Sequence, residues 1–292
     1  MNLNHRPKAY STDLAVMSGT MSRMKPCCLT VAGSDSGGNA GIQADLRAFH
    51  CYGLHGCTAI AALTAQNPHG VSSVQGVPSE FVAAQLDAVL GVYDIRGMKT
   101  GMLSDPAVIE VVADRLAGRG EMGKVIDPVM IATSGARLAS QDAVTAIVER
   151  LFPLATLVTP NLPEAEVICG IDPAYGVGRA ADVAHARVLA RRIFEKYGCA
   201  ALVKGGHGAN DAAVDVLYDG EDFAEFSMSW VANPVSTHGT GCSLAAALAA
   251  ELALGRGLRD AVAGAKRYVH GAIANGFLVG RDCGVLGFVD MR

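Results

Sequence analysis

Short apolar segments alternate along the chain with segments whose apolar residues repeat at helical spacing, and this alternation constrains the fold most. Cys27 to Ala32 reads as a strand, a helical pattern follows from about Ala40 to Tyr52, and a second strand spans His55 to Leu63. Strand–helix–strand units of this kind form right-handed crossovers and parallel sheets. The sequence therefore predicts an α/β fold with a mostly parallel central sheet.

A hairpin is predicted late in the chain. Val214 to Tyr218 and Phe223 to Trp230 flank Asp219-Gly220, a dipeptide typical of tight turns between antiparallel strands. We therefore expect an antiparallel edge on the sheet.

The domain organisation is simple. The 292 residues contain no internal repeat and no low-complexity linker, so residues 26–292 are predicted to form a single domain. Residues 1–25 have no apolar periodicity and are expected to be a disordered leader. They also lack the continuous apolar segment of a secretory signal, and no other stretch suits a membrane span. We expect a cytoplasmic protein that does not contact a membrane.

The net charge and the absence of several motifs argue against some classes of protein. Lys plus Arg number 24 and Asp plus Glu 28, so the net charge is −4, which gives no support to a nucleic-acid partner. The eight cysteines form no C-x-x-C pair, which argues against a zinc ribbon. The G-x-G-x-x-G fingerprint of dinucleotide-binding enzymes is also absent. The expected partner is a small-molecule substrate.

The sharpest motif is Ser236-Thr-His-Gly-Thr-Gly-Cys242-Ser243, which leads into a predicted helix. Glycines let the backbone approach an anion, and a helix N-terminus directs several N–H groups toward it. Cys242 would lie where the helix dipole lowers the pKa of a thiol, so its thiolate is a candidate general base toward an alcohol. The alternative is a glycine-rich turn with a buried cysteine.

Oxygen ligands follow two other strands. Asp127 ends a predicted strand, and Asn161 and Glu164 lie at another strand-to-helix turn. Two carboxylates and an amide near an anion cradle suit Mg²⁺, partly through water. Taken singly, Asp127 is also explained as a turn carboxylate, and Glu164 as a helix-start residue favoured by the dipole.

Three further side chains are candidates for ligand contacts. The amide of Gln66 offers one donor and one acceptor, which match the nitrogen and amino edge of an aminopyrimidine. Asp45 is a second candidate for the same ring, with a solvated helix carboxylate as the alternative. Lys204 is a candidate for nucleotide phosphate, or else an ordinary lysine at a strand end.

Together these segments closely resemble one family, and they occur in its order. They are Gly33-Ser-Asp-Ser-Gly-Gly, Ala40-Gly-Ile-Gln-Ala-Asp45-Leu, Thr64-Ala-Gln-Asn67, Lys99-Thr-Gly-Met-Leu103, Val125-Ile-Asp-Pro-Val-Met130, Thr159-Pro-Asn-Leu-Pro-Glu-Ala165, Val203-Lys-Gly-Gly-His207 and His238-Gly-Thr-Gly-Cys242. The chain resembles the hydroxymethylpyrimidine and hydroxymethylpyrimidine-phosphate kinases of thiamine biosynthesis, within the ribokinase-like superfamily, from about Pro26 to Phe277.

The resemblance implies a three-layer αβα fold, ATP as co-substrate, Mg²⁺ and a homodimer. It also implies roles for residues, which divide into four groups. Those groups are an anion hole of Gly239, Thr240 and Gly241 with Cys242 as the base; a pyrimidine pocket of Gln66, Asp45, Gly33, Met102 and Val129; ATP contacts at Lys204 and Asn161; and Mg²⁺ ligands at Asp127 and Glu164. Two positions depart from the family pattern. Asn39 replaces a usual glycine, and Pro68 stands where threonine is common.

Two other functions stay open at this point. A pyridoxal or pyridoxine kinase would perform the same chemistry on another ring. A non-catalytic pyrimidine-binding protein on the same scaffold would have no need of Cys242, Asp127 and the anion-hole glycines.

Overall fold

A computed structural model describes residues 25–130, 139–171, 183–205 and 212–292. The predicted leader therefore lies outside the described residues except for Lys25, and so does His207. The strands are β1 (Cys27–Gly33), β2 (His55–Asn67), β3 (Gly70–Gly76), β4 (Ile95–Thr100), β5 (Gly123–Ile126), β6 (Leu157–Val158), β7 (Ala200–Val203), β8 (Ala212–Tyr218), β9 (Phe223–Ser229), β10 (Phe277–Leu278) and β11 (Gly284–Val285).

Helices connect most of these strands. They are α1 (Gly41–Cys51), α2 (Ser79–Leu90), α3 (Pro106–Leu116), α4 (Gln141–Ala146), α5 (Leu162–Ile168), α6 (Val183–Tyr197), α7 (Thr240–Ala253) and α8 (Leu258–Ala274). One π turn and one 3₁₀ turn extend α4 through residues 147–154. No helix among the described ranges is long and apolar enough to cross a membrane.

The main sheet has the order β3-β2-β1-β4-β5-β6-β7-β8-β9. The pairs β2-β1, β1-β4, β4-β5, β5-β6 and β6-β7 are parallel. The pairs β3-β2, β7-β8 and β8-β9 are antiparallel. The prediction of a mostly parallel sheet with an antiparallel hairpin at one edge is therefore confirmed.

The opposite edge differs from the prediction. The sequence predicts that the second strand ends at Leu63, but β2 continues through Gln66 to Asn67 and pairs with β3. A tight turn joins the two strands, in which the His69 N–H donates to Asn67 Oδ1 at 2.9 Å. Because β3 is half-buried or exposed throughout, it has no apolar face to mark it in the sequence.

Apolar side chains fill both faces of the sheet. One cluster packs α2 through α6 against it, and the other packs α1, α7 and α8. Helix α7 lies unusually close to the sheet, since a Cβ on Gly97 of β4 would be 2.1 Å from the carbonyl oxygen of Ala249. This contact fixes α7 directly over β4, with its N-terminus toward the carboxyl ends of the parallel strands.

Candidate active site

A cleft of about 390 Å³ opens at the carboxyl ends of the parallel strands. Ligand sites in open α/β sheets are found at this edge. Every predicted site residue except Asp45 lines the cleft, namely Gly33, Gln66, Met102, Asp127, Val129, Asn161, Glu164, Lys204, Gly239, Thr240, Gly241 and Cys242. The fold thus collects residues from across the chain into one site.

The N-terminus of α7 forms one wall of the cleft. Gly239 caps the helix with φ 87°, and a Cβ at this position would be 1.9 Å from the carbonyl oxygen of Asn39. Glycine is required there both by the left-handed backbone and by this close approach. Among the described residues, no hydrogen bond occupies the N–H groups of Gly241 and Cys242. They are free to bind an anion, with the helix dipole adding to the attraction.

Cys242 lies in the first turn of α7. The sequence predicted a lowered thiol pKa, and this expectation is wrong for the ligand-free protein. Burial raises the pKa of Cys242 above its ordinary value, because desolvation outweighs the opposing effects of Lys99 and the Gly41 N–H. The thiol of Cys242 is therefore less acidic in the ligand-free protein than an ordinary cysteine.

Asp127 and Lys204 form an ion pair inside the cleft. Lys204 Nζ lies 3.0 Å from Asp127 Oδ1, which also accepts a hydrogen bond from the Thr159 hydroxyl at 2.9 Å. A Cβ on Gly241 would lie 3.7 Å from Lys204 Nζ, so this ammonium faces the anion-binding turn. Residues that follow β5 and β7 thereby place a cation beside the free N–H groups of α7.

Glu164 and Asn161 form a capping box at the start of α5. The Asn161 N–H donates to Glu164 Oε2 at 2.8 Å, and the Glu164 N–H donates to Asn161 Oδ1 at 2.9 Å. Burial raises the pKa of Glu164 to about 7, with nearby Lys204 opposing the rise and Asp127 adding to it. Glu164 thus changes charge near neutral pH.

Gln66 lies at the far end of β2, where neighbouring hydroxyls hold it. Its backbone N–H donates to Ser36 Oγ at 2.8 Å, and the Ser36 hydroxyl donates to the Gln66 carbonyl at 2.7 Å. The Thr64 hydroxyl lies 3.2 Å from Gln66 Oε1. No acceptor among the described residues binds the side-chain NH₂, which leaves it to donate to a ligand.

Gly33 and Met102 pack against each other in the same part of the cleft. A Cβ on Gly33 would lie 2.6 Å from the terminal methyl of Met102. A larger residue at position 33 would therefore displace Met102, which with Val129 contributes to the apolar lining of the cleft.

Asp45 is the predicted site residue that the structure does not bring into the cleft. Its carboxylate is fully buried behind the wall, where both oxygens lie 2.9 Å from Lys99 Nζ and Oδ2 accepts a hydrogen bond from Thr30. The alternative of a solvated carboxylate is wrong as well. Sequence reasoning assigned no role to Lys99, although a lysine near the end of a buried strand was a visible signal.

A second buried ion pair was also missed. Lys266 of α8 lies 2.7 Å from Asp215 Oδ2, and Asp215 Oδ1 accepts a hydrogen bond from the Gly205 N–H. Both charged residues line the cleft. The alternating pattern of β8 predicted a strand but did not indicate which of its polar residues would be buried.

An anion-binding helix N-terminus beside a lysine and two carboxylates is suited to phosphate chemistry. Together with a three-layer αβα fold and this strand order, such a site defines a kinase of the ribokinase-like class. Solved structures of this class are similar to the chain. A pyridoxal kinase from Bacillus subtilis in complex with ADP superposes with a TM-score of 0.82 at 33% identity, covering 92% of this chain and 99% of that one.

A phosphomethylpyrimidine kinase from Clostridium difficile superposes with a TM-score of 0.72 at 36% identity, over 84% of this chain and 98% of its own. The hydroxymethylpyrimidine/phosphomethylpyrimidine kinase of Rhizobium meliloti is 44% identical over 86% of this chain and 91% of its own length. A bifunctional thiamine biosynthesis protein of Geobacter sulfurreducens is 43% identical over 95% of this chain, which spans only 55% of that protein. The phosphomethylpyrimidine kinase family matches residues 35–287, and the chain belongs to this family.

Proposed function

We propose that the protein transfers the γ-phosphoryl group of ATP to the hydroxymethyl group of 4-amino-5-hydroxymethyl-2-methylpyrimidine, and then a second phosphoryl group to the resulting monophosphate. Relatives named for both activities support this function. The observation that carries it is the lining of the cleft. The Gln66 amide shares one cleft with the N–H groups at the start of α7, with Lys204 and with Cys242.

In the first transfer, Gln66 would hold the ring so that the hydroxymethyl group points toward Cys242. The thiolate of Cys242 takes the hydroxyl proton while the substrate oxygen bonds to the γ-phosphorus. The bond from that phosphorus to the bridging oxygen breaks, and ADP leaves. The N–H groups of Gly241 and Cys242, with Lys204, would stabilise the charge on the transferred group.

In the second transfer, the acceptor is a phosphate monoester. Its second pKa is near 6, so its oxygens are already largely ionised at neutral pH. This step needs charge neutralisation and alignment more than a base. The same anion hole can therefore serve both steps, whereas Cys242 matters mainly in the first.

The residues at this edge fit Mg²⁺ held jointly with nucleotide phosphates. Among the described residues, no group of three or more His, Cys, Asp and Glu side chains could hold a metal. Asp127 and Glu164 both face the cleft, and Asp127 Oδ2 accepts no hydrogen bond from the described residues. One or two carboxylates completed by phosphate and water are a common Mg²⁺ site. When bound, the ion would neutralise phosphate charge.

A pyridoxal kinase activity is the second candidate, because pyridoxal kinases are among the similar structures. The ring edge distinguishes the two substrates. The Gln66 amide complements the amino-nitrogen edge of an aminopyrimidine. We therefore expect the pyrimidine to be the preferred acceptor.

The homodimer implied by the resemblance stays a prediction. The β2–β3 ribbon exposes Leu63 and Val74, each about half accessible, at 49% and 47%. Sedimentation of the protein and of a Leu63→Asp/Val74→Asp variant would test whether this edge joins two copies.

Product analysis tests the function directly. The protein is incubated with ATP, Mg²⁺ and either hydroxymethylpyrimidine or pyridoxal, and phosphorylated products are separated over time. We expect the pyrimidine monophosphate to form first and the diphosphate second. Phosphorylation of pyridoxal alone would favour the second candidate, and no ATP turnover with either ring would contradict both.

A further inference from the structure

Lys99 is a fully buried cation that the mechanism above does not use. Its side chain and that of Asp45 are both 0% exposed, and its Nζ lies 2.9 Å from each carboxylate oxygen of Asp45. Thr30 donates a further hydrogen bond of 2.6 Å to Asp45. Burying such a pair costs substantial desolvation energy and is weak as a means of stabilisation alone. Its position therefore calls for a functional explanation.

This ammonium lies on the face of β4 that packs against α7, near the carboxyl end of the strand. Gly97, Lys99 and Gly101 alternate along β4 and its end, and side chains at alternate positions share one face. Gly97 packs on Ala249 of α7, and a Cβ on Gly101 would lie 2.8 Å from Lys99 Nζ. Helix α7 runs back from Ala249 toward the carboxyl edge, where Cys242 lies in its first turn.

The charges facing Cys242 come from four elements. Lys99 on β4 favours the thiolate, whereas Asp45 on α1 and Asp127 after β5 oppose it. Lys204 after β7 also interacts with the sulfur, but its ammonium is engaged by Asp127 and Glu164. Burial raises the pKa of Cys242, and Lys99 is the strongest influence opposing that rise.

We propose that Lys99, held in place by Asp45 and Thr30, is a positioning residue that stabilises the thiolate of Cys242 from behind the cleft wall. The inference rests on the proposed function for its catalytic meaning. Asp45 then acts through Lys99 and does not contact the pyrimidine. Lys99 thereby raises the fraction of Cys242 that is thiolate and can take a proton from the substrate hydroxyl, relative to what burial alone would allow.

The first test measures the thiolate without any turnover. Ligand-free protein is treated with iodoacetamide from pH 6 to pH 10, and modification of each cysteine is followed by peptide mass mapping. Lys99→Met should move the pH midpoint of Cys242 alkylation upward by about one unit or more, which lowers its rate near neutral pH about tenfold. Cys283, outside the cleft, provides the internal control and should react unchanged.

A second variant separates charge from folding. Lys99→Met leaves Asp45 buried without its partner, which can unfold the protein. The double variant Asp45→Asn/Lys99→Met removes both charges and should keep the fold. Because Lys99 acts on the sulfur more strongly than Asp45 does, its midpoint should lie between those of the parent and Lys99→Met. An unchanged midpoint in the folded double variant would overturn the inference, whatever the single variant does.

Single-turnover rates connect the thiolate to catalysis. In the double variant, phosphorylation of hydroxymethylpyrimidine should fall several-fold, while phosphorylation of its monophosphate stays close to the parent rate. Equal loss in both steps would contradict a role through Cys242. If the parent phosphorylates neither acceptor, the proposed function fails, whereas the alkylation result still decides whether Lys99 stabilises the thiolate.

Discussion

At the scale of single residues, Gln66 should decide ring recognition without affecting the nucleotide. Gln66→Ala removes the paired hydrogen bonds and leaves ring groups without partners, at a cost of about 1–3 kcal/mol in pyrimidine binding. Calorimetric titration with the pyrimidine and with an ATP analogue measures the two affinities separately. Gln75→Ala on exposed β3 is the matched control. Equal losses for both ligands, or no loss for either, would contradict the assignment.

Glu164 should make stability depend on pH. Its pKa is raised to about 7 in the folded protein from an ordinary value near 4.5, so the folded state binds more protons between these values. The free energy of unfolding should therefore fall as pH rises through this window. Glu164→Gln keeps a capping-box side chain but cannot ionise.

Urea unfolding of the parent and of Glu164→Gln between pH 4.5 and pH 8 measures this dependence. The difference between the two free energies should change with pH by up to ~3 kcal/mol. A difference that stays constant across the range would show that the pKa of Glu164 is not raised in the folded protein. Carboxylates that do not interact with Glu164 titrate equally in both proteins and cancel.

The sequence could predict the position of those site residues that directly follow a strand. Asp127, Asn161 and Lys204 each follow a strand, and parallel strands bring such ends together, so all three line the cleft. Asp45 could not be predicted in this way. A helix carboxylate can point to solvent, to a ligand or to a buried cation, and only the position of Lys99 across the layer decides between them.

At the scale of secondary structure, the close approach of two loops at the N-terminus of α7 should be essential. Gly239→Ala introduces a Cβ into a left-handed backbone and within 1.9 Å of the Asn39 carbonyl oxygen, so the turn must move. Both phosphoryl transfers should fall by at least ~10²-fold, because both use this anion hole.

Gly255 provides the matched control at the other end of the same helix. Its φ is 78°, and a Cβ there would meet nothing within 4 Å. Gly255→Ala should cost only the roughly 1–2 kcal/mol of a left-handed alanine and leave both rates unchanged. Comparable rate losses in the two variants would show that backbone strain, and not the contact with Asn39, explains the effect.

Elements with an apolar signature were predictable, and those without one were not. The 3.6-residue period of α1 and the hairpin turn at Asp219-Gly220 each predicted an observed element. Strand β3 carries serine and glutamine on an open edge, and β10 and β11 have only two residues each. Such strands form through backbone hydrogen bonds to a neighbouring strand, and the pattern of side chains in the sequence does not indicate them.

At the scale of the whole molecule, the single domain predicted for residues 26–292 should function without the leader. A shortened chain that begins at Pro26 behind a new methionine is expected to fold and to turn over both acceptors normally. Thermal unfolding and steady-state rates compare it with the full chain. A loss of several kcal/mol in stability, or soluble but inactive protein, would show that residues 1–25 pack on the domain.

In the proposed function one cleft catalyses both transfers, and only the first needs Cys242 as a base. Base catalysis typically contributes about 10²–10⁴-fold, so Cys242→Ala should slow transfer to the alcohol by a factor in this range. Transfer to the monophosphate should change far less, since that acceptor is already ionised.

The decisive measurement is the single-turnover rate of Cys242→Ala with each acceptor supplied separately, beside the parent and Cys283→Ala. Cys283 is partly exposed and does not line the cleft, so its replacement should affect neither rate. We expect a large loss of rate for hydroxymethylpyrimidine and a small one for its monophosphate. A fall by the same factor for both acceptors would contradict the role of Cys242 as a base and would make it a part of the anion hole.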